Sequence, residues 1–317
     1  MNTGIRKDHL RKGETVSWYN SVIAGSVSGV FARMATAPMD TVKIRYQLQP
    51  VQEDKYKGIA STVRTIMKEE GLRALWKGNI PATAMYVVYG AVQFGSYSWF
   101  NNVWSAKFPR FSQQGQTLTV GALAGMTSSV VSYPLDLLRT RLIANRTSHR
   151  TSVAEECRQM WLNEGVRGFF TGISTAMTTV TLSTAIMFLT YETVNIVCEN
   201  HEKEFWSRPV SASSGIIAGF VSKTMVFPID TLRRRMQVMN SKRTVHFTKF
   251  PAVYHEYRYK SSTAIIYKIL RQEGVSALYR GLTMGLCKSV PTTAISLFVY
   301  ERTMDLFDHG QRWGRSP

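Results

Sequence analysis

An eight-residue pattern that occurs three times dominates this chain. Each copy has a proline, an acidic residue two positions later, and basic residues five and seven positions after the proline. The copies begin at Pro38, Pro134 and Pro228, so the prolines are 96 and 94 residues apart. In chains with such internal periods, each repeat is one supersecondary unit that packs against its neighbours. The sequence therefore predicts one body made of three equivalent units.

A second signature follows each copy of the pattern. It begins with a glutamate and a glycine. Five residues after that glycine come an aromatic residue, a base and a second glycine in direct succession. The copies start at Glu70, Glu164 and Glu273. Thr171 replaces the base in the middle copy. Before each proline stand two glycines four residues apart, a spacing that allows membrane helices to pack closely. These pairs are Gly25/Gly29, Gly121/Gly125 and Gly215/Gly219.

The distribution of charge predicts a membrane protein. The mean hydropathy of −0.12 is that of a soluble chain, but residues 78–106, 111–135 and 168–191 contain no Asp, Glu, Lys or Arg. About 20 apolar residues are enough to cross a bilayer. We therefore predict an all-α membrane protein with six transmembrane helices in three repeats, with short surface helices, around a central cavity.

The expected boundaries follow from the repeat. Residues 1–16 are predicted to be an N-terminal tail, and the three repeats to cover 17–110, 111–208 and 209–317. The third repeat carries extra residues between 239 and 261, including Phe247, Phe250, Pro251 and Tyr254, to which the sequence assigns no function. Six long helices are expected at 17–47, 79–105, 116–145, 173–198, 211–239 and 282–307, and surface helices at 59–69, 153–162 and 261–272.

The composition is basic, with 39 Lys and Arg against 21 Asp and Glu and a net charge of +18. Such an excess suits nucleic acid, anionic lipid or small anionic substrates. The bases are spread through all the loops with no recognisable reader module, which disfavours nucleic acid; a membrane-anchored nucleic-acid or lipid-binding protein remains the alternative. The sequence has no phosphate-binding glycine loop, no Ser/His/acid arrangement and no metal-ligand spacing, so neither an enzyme, a cofactor nor a metal is expected.

The two tripled signatures resemble the mitochondrial carrier family over nearly the whole chain. The resemblance implies a multi-pass transporter of the mitochondrial inner membrane that works by alternating access, as a monomer, with cardiolipin as its lipid partner. It also implies that the short surface helices lie on the matrix side. Residues 43–49, 89–94 and 222–224 look like those of the family's thiamine pyrophosphate carriers, although coenzyme A and adenine nucleotide carriers share parts of them. The implied function is import of thiamine pyrophosphate in exchange for a phosphorylated counter-substrate.

The resemblance also implies a gate at the matrix end. Within one helix, an acid and a base three residues apart stabilise each other by only a few tenths of a kcal/mol. The family instead pairs each acid with the base of another repeat. The implied pairs are Asp40 with Arg139, Asp136 with Arg233, and Asp230 with Lys43. Glutamine braces are implied at Gln47 and Gln237, while Ile143 occupies the third brace position.

A weaker gate is expected at the cytoplasmic end. There the family pattern is an aromatic residue, an acid and, three residues later, a base. The matching residues here are Tyr97, Tyr191, Glu192, Tyr300 and Glu301. The positions of the bases hold Asn101, Asn195 and Met304. Tyrosines and packing should therefore hold this gate, rather than ion pairs.

The candidate substrate residues lie between the two gates. Seven residues before each motif acid, two helical turns away, stand Arg33, Ser129 and Lys223. Seven residues after the last glycine of each second signature stand Met85, Thr179 and Lys288, with Val180 beside Thr179. The resemblance places substrate contacts at these levels. Because an unpaired cation at membrane depth is costly, Arg33, Lys223 and Lys288 are predicted to bind phosphate. Met85, Tyr86 and Tyr89 are expected against a flat ring, although each alone suits helix packing equally well.

Overall fold

The computed structural model is helical over most of its length. It describes residues 6–7, 15–16, 18–50, 53, 55–56, 58–108, 112–146, 151–201, 205–241, 254 and 261–313. In chain order the helices are α1 (Trp18–Leu48), α2 (Ile59–Glu70), α3 (Asn79–Lys107), α4 (Gln113–Ala144), α5 (Val153–Gly168), α6 (Ile173–Asn200), α7 (Ser207–Ala212), α8 (Ser214–Met239), α9 (Ser262–Glu273), α10 (Val275–Leu278), α11 (Leu282–Cys287) and α12 (Ser289–Trp313). A 3₁₀ turn, Leu72–Trp76, follows α2. The predicted all-α class is confirmed.

One small departure lies in the predicted N-terminal tail. Strand β1 (Arg6–Lys7) pairs in antiparallel fashion with β2 (Thr15–Val16), with Arg6 opposite Val16. These four residues therefore form a short β-ladder within the predicted tail.

Four stretches of helix among the described residues are long and apolar enough to cross a membrane. They are Gly115–Ala144, Ile173–Asn200, Ser214–Met239 and Val275–Phe307. Helices α1 and α3 have 31 and 29 residues, which at 1.5 Å per residue also exceeds the bilayer core. Their polar residues, including Arg33 and Asp40 in α1, lower their hydropathy. Length therefore supports six spans, and hydropathy supports four of them.

The helix predicted at 282–307 is interrupted at Lys288, between α11 and α12. Pro291 explains the break, because a proline has no N–H for the carbonyl four residues earlier and its ring clashes with that carbonyl. The affected carbonyl is that of Cys287. A predicted substrate residue thus stands where the helix is discontinuous.

The glycines of the second signature adopt positive φ. Gly78 has φ of 73°, and a Cβ on it would lie 2.8 Å from the Arg139 carbonyl oxygen. Gly281 has φ of 85°, and its Cβ would lie 3.2 Å from the Lys43 carbonyl oxygen. Only glycine adopts such a backbone conformation without strain and permits so close an approach. Each of these turns therefore packs on the motif helix of another repeat.

The glycine pairs before the prolines behave differently from the prediction. Among the described atoms, a Cβ on Gly121, Gly215 or Gly219 would meet no neighbour within 4 Å, whereas one on Gly125 would lie 3.4 Å from the Val180 Cγ1. Close packing of helices at a small residue is therefore seen at Gly125, where α4 meets α6. The other three of these glycines that lie in unit 2 show no such contact.

Contacts divide the chain into two compact units. Unit 1 comprises Met1–Asp40 and Cys287–Pro317, and unit 2 comprises Thr41–Leu286. In unit 1, Ala24 and Met304 form a buried cluster. The largest buried cluster of unit 2 joins side chains of α1, α4, α8, α9 and α10.

The extra residues of the third repeat contribute to this cluster in unit 2. Phe247, Phe250 and Pro251 lie outside the described residues. Tyr254 is buried in the cluster, and its hydroxyl donates a hydrogen bond to the Leu48 carbonyl. The insertion thus supplies a core residue that ties the third repeat to the first, a role that composition did not indicate.

Candidate functional site

Two of the three expected inter-repeat ion pairs lie within unit 2. Lys43 Nζ is 2.7 Å from Asp230 Oδ2, and Gln47 Nε2 donates to the same oxygen at 3.1 Å. The Lys43 ammonium also lies 5.2 Å from the centroid of the Phe227 ring. A cation over an aromatic face is stabilised by roughly 0.5–2 kcal/mol. Helices α1 and α8 are therefore joined by an ion pair, a glutamine and a ring.

The second pair joins α4 and α8 in the same way. Arg233 Nη2 is 2.8 Å from Asp136 Oδ2, and Gln237 Nε2 donates to that oxygen at 2.8 Å. The Arg233 guanidinium lies 5.4 Å from the Tyr133 ring centroid. Phe227 and Tyr133 each immediately precede a motif proline, where the first repeat has Ala37. The rings that support the two cations were missed by the sequence analysis, although their position before the proline was a readable signal.

The third expected pair has its acid in unit 1 and its base in unit 2. The pairing of Asp40 with Arg139 stays a prediction. Within unit 1, Asp40 Oδ1 accepts a short hydrogen bond from Lys288 Nζ. Lys288 is therefore paired in this structure, because Asp40 supplies a carboxylate from α1, and its role in binding phosphate stays a prediction.

The last base of each motif forms a buried ion pair that sequence analysis did not identify. Arg45, Arg141 and Arg235 each bind the glutamate of the second signature in their own repeat through both terminal nitrogens. The pairs are Arg45 with Glu70 at 2.6 and 2.9 Å, Arg141 with Glu164 at 2.5 and 2.8 Å, and Arg235 with Glu273 at 2.6 and 2.8 Å. The signal was present in the sequence, since an arginine seven residues after each proline always accompanies that glutamate.

The same three arginines also link the repeats in a cycle. Each Nε donates to the backbone carbonyl of another repeat, at the position nine residues after the motif proline. The bonds run from Arg45 to Ile143 at 2.6 Å, from Arg141 to Gln237 at 3.0 Å, and from Arg235 to Gln47 at 3.1 Å. Because only the backbone accepts, Ile143 serves in this cycle as well as the two glutamines do.

The base of the second signature adds a further link in the first and third repeats. Lys77 Nζ lies 2.5 Å from Glu70 Oε2 and 3.0 Å from the Asn145 carbonyl, and Arg280 donates to the Gln49 carbonyl at 3.3 Å. Burial opposes ionisation of Glu70, but the hydrogen bonds from Arg45 and Lys77 outweigh it, and the pKa of Glu70 is lowered. Burial lowers the pKa of Lys77. These bases therefore hold neighbouring repeats together.

Thr171 lacks this link in the second repeat. Its carbonyl accepts a hydrogen bond from the Tyr133 hydroxyl at 2.6 Å, but its side chain is too short to reach the next repeat. Thr171→Lys is expected to raise the stability by roughly 0.5–2 kcal/mol, because the ammonium would bind Glu164 and the Met239 carbonyl as Lys77 binds its equivalents. The thermal unfolding midpoint of the purified protein measures this. Thr171→Met is the control of similar length without charge, and equal midpoints for the two variants would contradict the prediction.

At the opposite ends of the long helices, uncharged residues occupy the positions where the family pattern has bases, and they contact other helices. Asn101 accepts a hydrogen bond from Gln116 at 2.9 Å, and Asn195 accepts one from Ser211 at 3.3 Å. Met304 is buried against Ala24. Each of the two asparagines therefore binds a residue on the next helix along the chain. Tyr191 and Glu192 are exposed, and Tyr97 and Tyr300 are half-buried; Glu301 is exposed.

The candidate substrate residues occupy α1, α3, α4, α6, α8 and the α11–α12 break. Lys223 Nζ donates a short hydrogen bond to the Gly285 carbonyl. The Cε atoms of Lys223 and Lys43 both lie close to Gly285, since a Cβ on this glycine would be 3.6 and 3.4 Å from them. Ser129 is buried. The Thr179 hydroxyl donates to the Thr175 carbonyl at 2.7 Å. Arg33, Met85 and Val180 are half-buried.

Comparison with known proteins gives matches over almost the whole chain. A family model described as mitochondrial carrier protein matches three times, over residues 14–108, 112–202 and 206–311. A protein of Eremothecium gossypii named mitochondrial thiamine pyrophosphate carrier 1 is 49% identical over 302 residues, which cover 95% of this chain and 93% of that protein. Proteins of the same name are 46% identical in Saccharomyces cerevisiae S288c, over 93% and 96% of the two chains, and 43% identical in Candida glabrata, over 95% and 98%.

Proposed function

This chain belongs to the mitochondrial carrier family, a family of multi-pass inner-membrane transporters, and on that premise we propose that it imports thiamine pyrophosphate by exchange. The observation that carries the choice of substrate is the identity of 43–49% to proteins named for that substrate over more than nine-tenths of the chain. Residues 43–49, 89–94 and 222–224 support the same choice.

The proposed substrate suits the charges available. Thiamine pyrophosphate carries an anionic diphosphate and flat rings, which fit cations and aromatic side chains. In the proposal Arg33, Lys223 and Lys288 bind the diphosphate, and Met85, Ser129, Thr179 and Val180 complete the site. Lys288 would exchange Asp40 for a phosphate oxygen, and Lys223 would exchange the Gly285 carbonyl.

Alternating access supplies the proposed mechanism. The matrix gate consists of the ion pairs of Asp40, Asp136 and Asp230 with Arg139, Arg233 and Lys43, braced by Gln47 and Gln237. The cytoplasmic gate consists of Tyr97, Tyr191, Glu192, Tyr300 and Glu301. Substrate can open a gate only by binding the open state more tightly than the closed one. The ammonium groups of Lys223 and Lys288 would leave protein oxygens and bind phosphate oxygens, and this change of partner provides such a difference in binding.

The remaining parts of the proposal concern partners. The counter-substrate is a phosphorylated compound such as thiamine monophosphate or a nucleotide, cardiolipin is the bound lipid, and the working form is a monomer. The protein has no catalytic activity, takes no cofactor and binds no nucleic acid.

Uptake into liposomes tests the proposed function. Purified protein is reconstituted with internal thiamine pyrophosphate, and the entry of labelled thiamine pyrophosphate is compared with that of labelled ATP and labelled coenzyme A. We expect exchange of thiamine pyrophosphate to be fastest. Faster exchange of ATP or coenzyme A would assign the chain to those carriers. No exchange of any of the three, together with salt-sensitive polynucleotide or lipid binding, would favour the membrane-anchored binding protein.

A further inference from the structure

The third motif contains one basic residue more than each of the other two. Arg234 lies between the gate base Arg233 and the buried Arg235, and the equivalent positions in the first and second repeats hold Ile44 and Thr140. Neither of those side chains carries a charge. The third repeat thus brings an additional cation to the matrix end of α8, and its contacts show what it can do.

The closest contacts of Arg234 are with one gate acid, Asp136, and with two residues beside it. Its Nη1 lies 3.0 and 2.9 Å from the two oxygens of Asp136, 2.7 Å from the Thr140 hydroxyl and 3.0 Å from Gln237 Oε1. Arg233 binds the same carboxylate at 2.8 Å. Asp136 is therefore held by two arginines and a glutamine, whereas Asp230 has Lys43 and Gln47 as its inter-repeat partners.

Arg234 also reaches the second gate acid of unit 2. Its Nε lies 3.9 Å from Asp230 Oδ1, one helical turn earlier in α8. Its side chain is only 11% exposed, so water screens these interactions little. One guanidinium thus lies against the carboxylates of two ion pairs, and moving α4 away from α8 would separate it from Asp136 and Thr140 at the same time.

We propose that Arg234 is a positioning residue that locks the contact between α4 and α8 when the matrix gate is closed. This inference rests on the proposed transport function. The α4–α8 contact would be the most tightly held part of the gate that unit 2 contains. The empty protein, which has no substrate binding energy to open the gate, would then be unable to reorient, and transport would remain an obligatory exchange.

The ratio of uncoupled efflux to exchange tests this role. Liposomes loaded with labelled thiamine pyrophosphate are diluted into buffer with and without external thiamine pyrophosphate, for wild type, Arg234→Thr and Arg234→Lys. Threonine is the residue at the equivalent position of the second repeat, Thr140. Lysine keeps the positive charge but lacks the planar guanidinium that binds several acceptors at once. We expect the ratio to rise about tenfold for Arg234→Thr, which corresponds to about 1.4 kcal/mol, and by a smaller factor, about threefold, for Arg234→Lys. Arg302→Thr, an exposed arginine of α12, should leave the ratio unchanged.

A purely structural role would lower thermal stability without changing this ratio, because the ratio does not depend on the fraction of active protein. An unchanged ratio in Arg234→Thr that is shown to be folded overturns the proposal. If Arg234→Thr does not fold, an unchanged ratio in Arg234→Lys overturns it. If the wild type exchanges ATP or coenzyme A instead, the proposed substrate is wrong, and the ratio is measured with that compound.

Hydrogen exchange provides a measurement that needs no substrate. Peptides covering residues 133–142 and 228–238 should exchange faster in Arg234→Thr than in wild type, while peptides from α12 should not change. Equal rates in the two proteins at both segments would overturn the proposal even if no tested compound is transported.

Discussion

Arg235→Met is expected to destabilise the protein by roughly 3–5 kcal/mol, the usual result of removing one partner of a buried ion pair. The Arg235 and Glu273 side chains are 1% and 2% exposed, so Glu273 would be left as a buried carboxylate without its arginine. The variant also loses the bond from Arg235 Nε to the Gln47 carbonyl. Thermal unfolding in detergent, followed through labelling of the buried Cys198 thiol, should show a midpoint lower by roughly 5–10 °C.

Two further variants separate the charge from the packing. Arg235→Met with Glu273→Met removes both charges, and much of the lost stability should return, because an apolar pair avoids the desolvation of two ions. Arg302→Met disrupts the exposed pair with Asp305, whose side chains are 69% and 45% exposed, and should change stability by less than about 1 kcal/mol. A single Arg235→Met variant as stable as Arg302→Met would contradict this interpretation of the buried pairs.

The tripled motif made most of the architecture predictable. A proline, an acid and two bases at fixed spacing, each followed by the same glycine signature, fixed the order of long and short helices. Two of the gate ion pairs, Lys43–Asp230 and Arg233–Asp136, were implied by family resemblance and are present as contacts within unit 2. Periodicity of seven residues placed Lys223 and Asp230 on one helix face, because two turns of helix take about seven residues.

Features that break the three-fold pattern were not predictable. Arg234 stands at a position where the other repeats hold Ile44 and Thr140, so no repeat argument indicates a function for it. Tyr254 lies in an insertion, and only the folded chain shows that its ring enters the core of unit 2. The pairing of Lys288 with Asp40 joins residues 248 positions apart, and sequence spacing carries no information on such a contact.

The substitution Lys288→Ala is expected to reduce exchange of thiamine pyrophosphate by about 100-fold. A hydrogen bond to a charged group contributes about 1.5–3 kcal/mol, and every 1.4 kcal/mol is a factor of ten. In the proposed mechanism Lys288 binds Asp40 in the closed state and a phosphate oxygen when substrate is bound, so alanine removes both interactions. Initial rates of uptake into liposomes, normalised to inserted protein, measure the effect. Lys107→Ala, at the exposed end of α3, should transport at the wild-type rate.

Asp40→Asn distinguishes the two interactions of Lys288. If Lys288 serves only to hold Asp40, then Asp40→Asn should lose as much transport as Lys288→Ala, and the double variant should lose no more. If Lys288 also binds phosphate, Lys288→Ala should show the larger rise in KM, because Asp40→Asn leaves the ammonium available to substrate. A KM for Lys288→Ala equal to that of Asp40→Asn would remove Lys288 from the proposed phosphate site, and it would leave Lys288 a role at the gate alone.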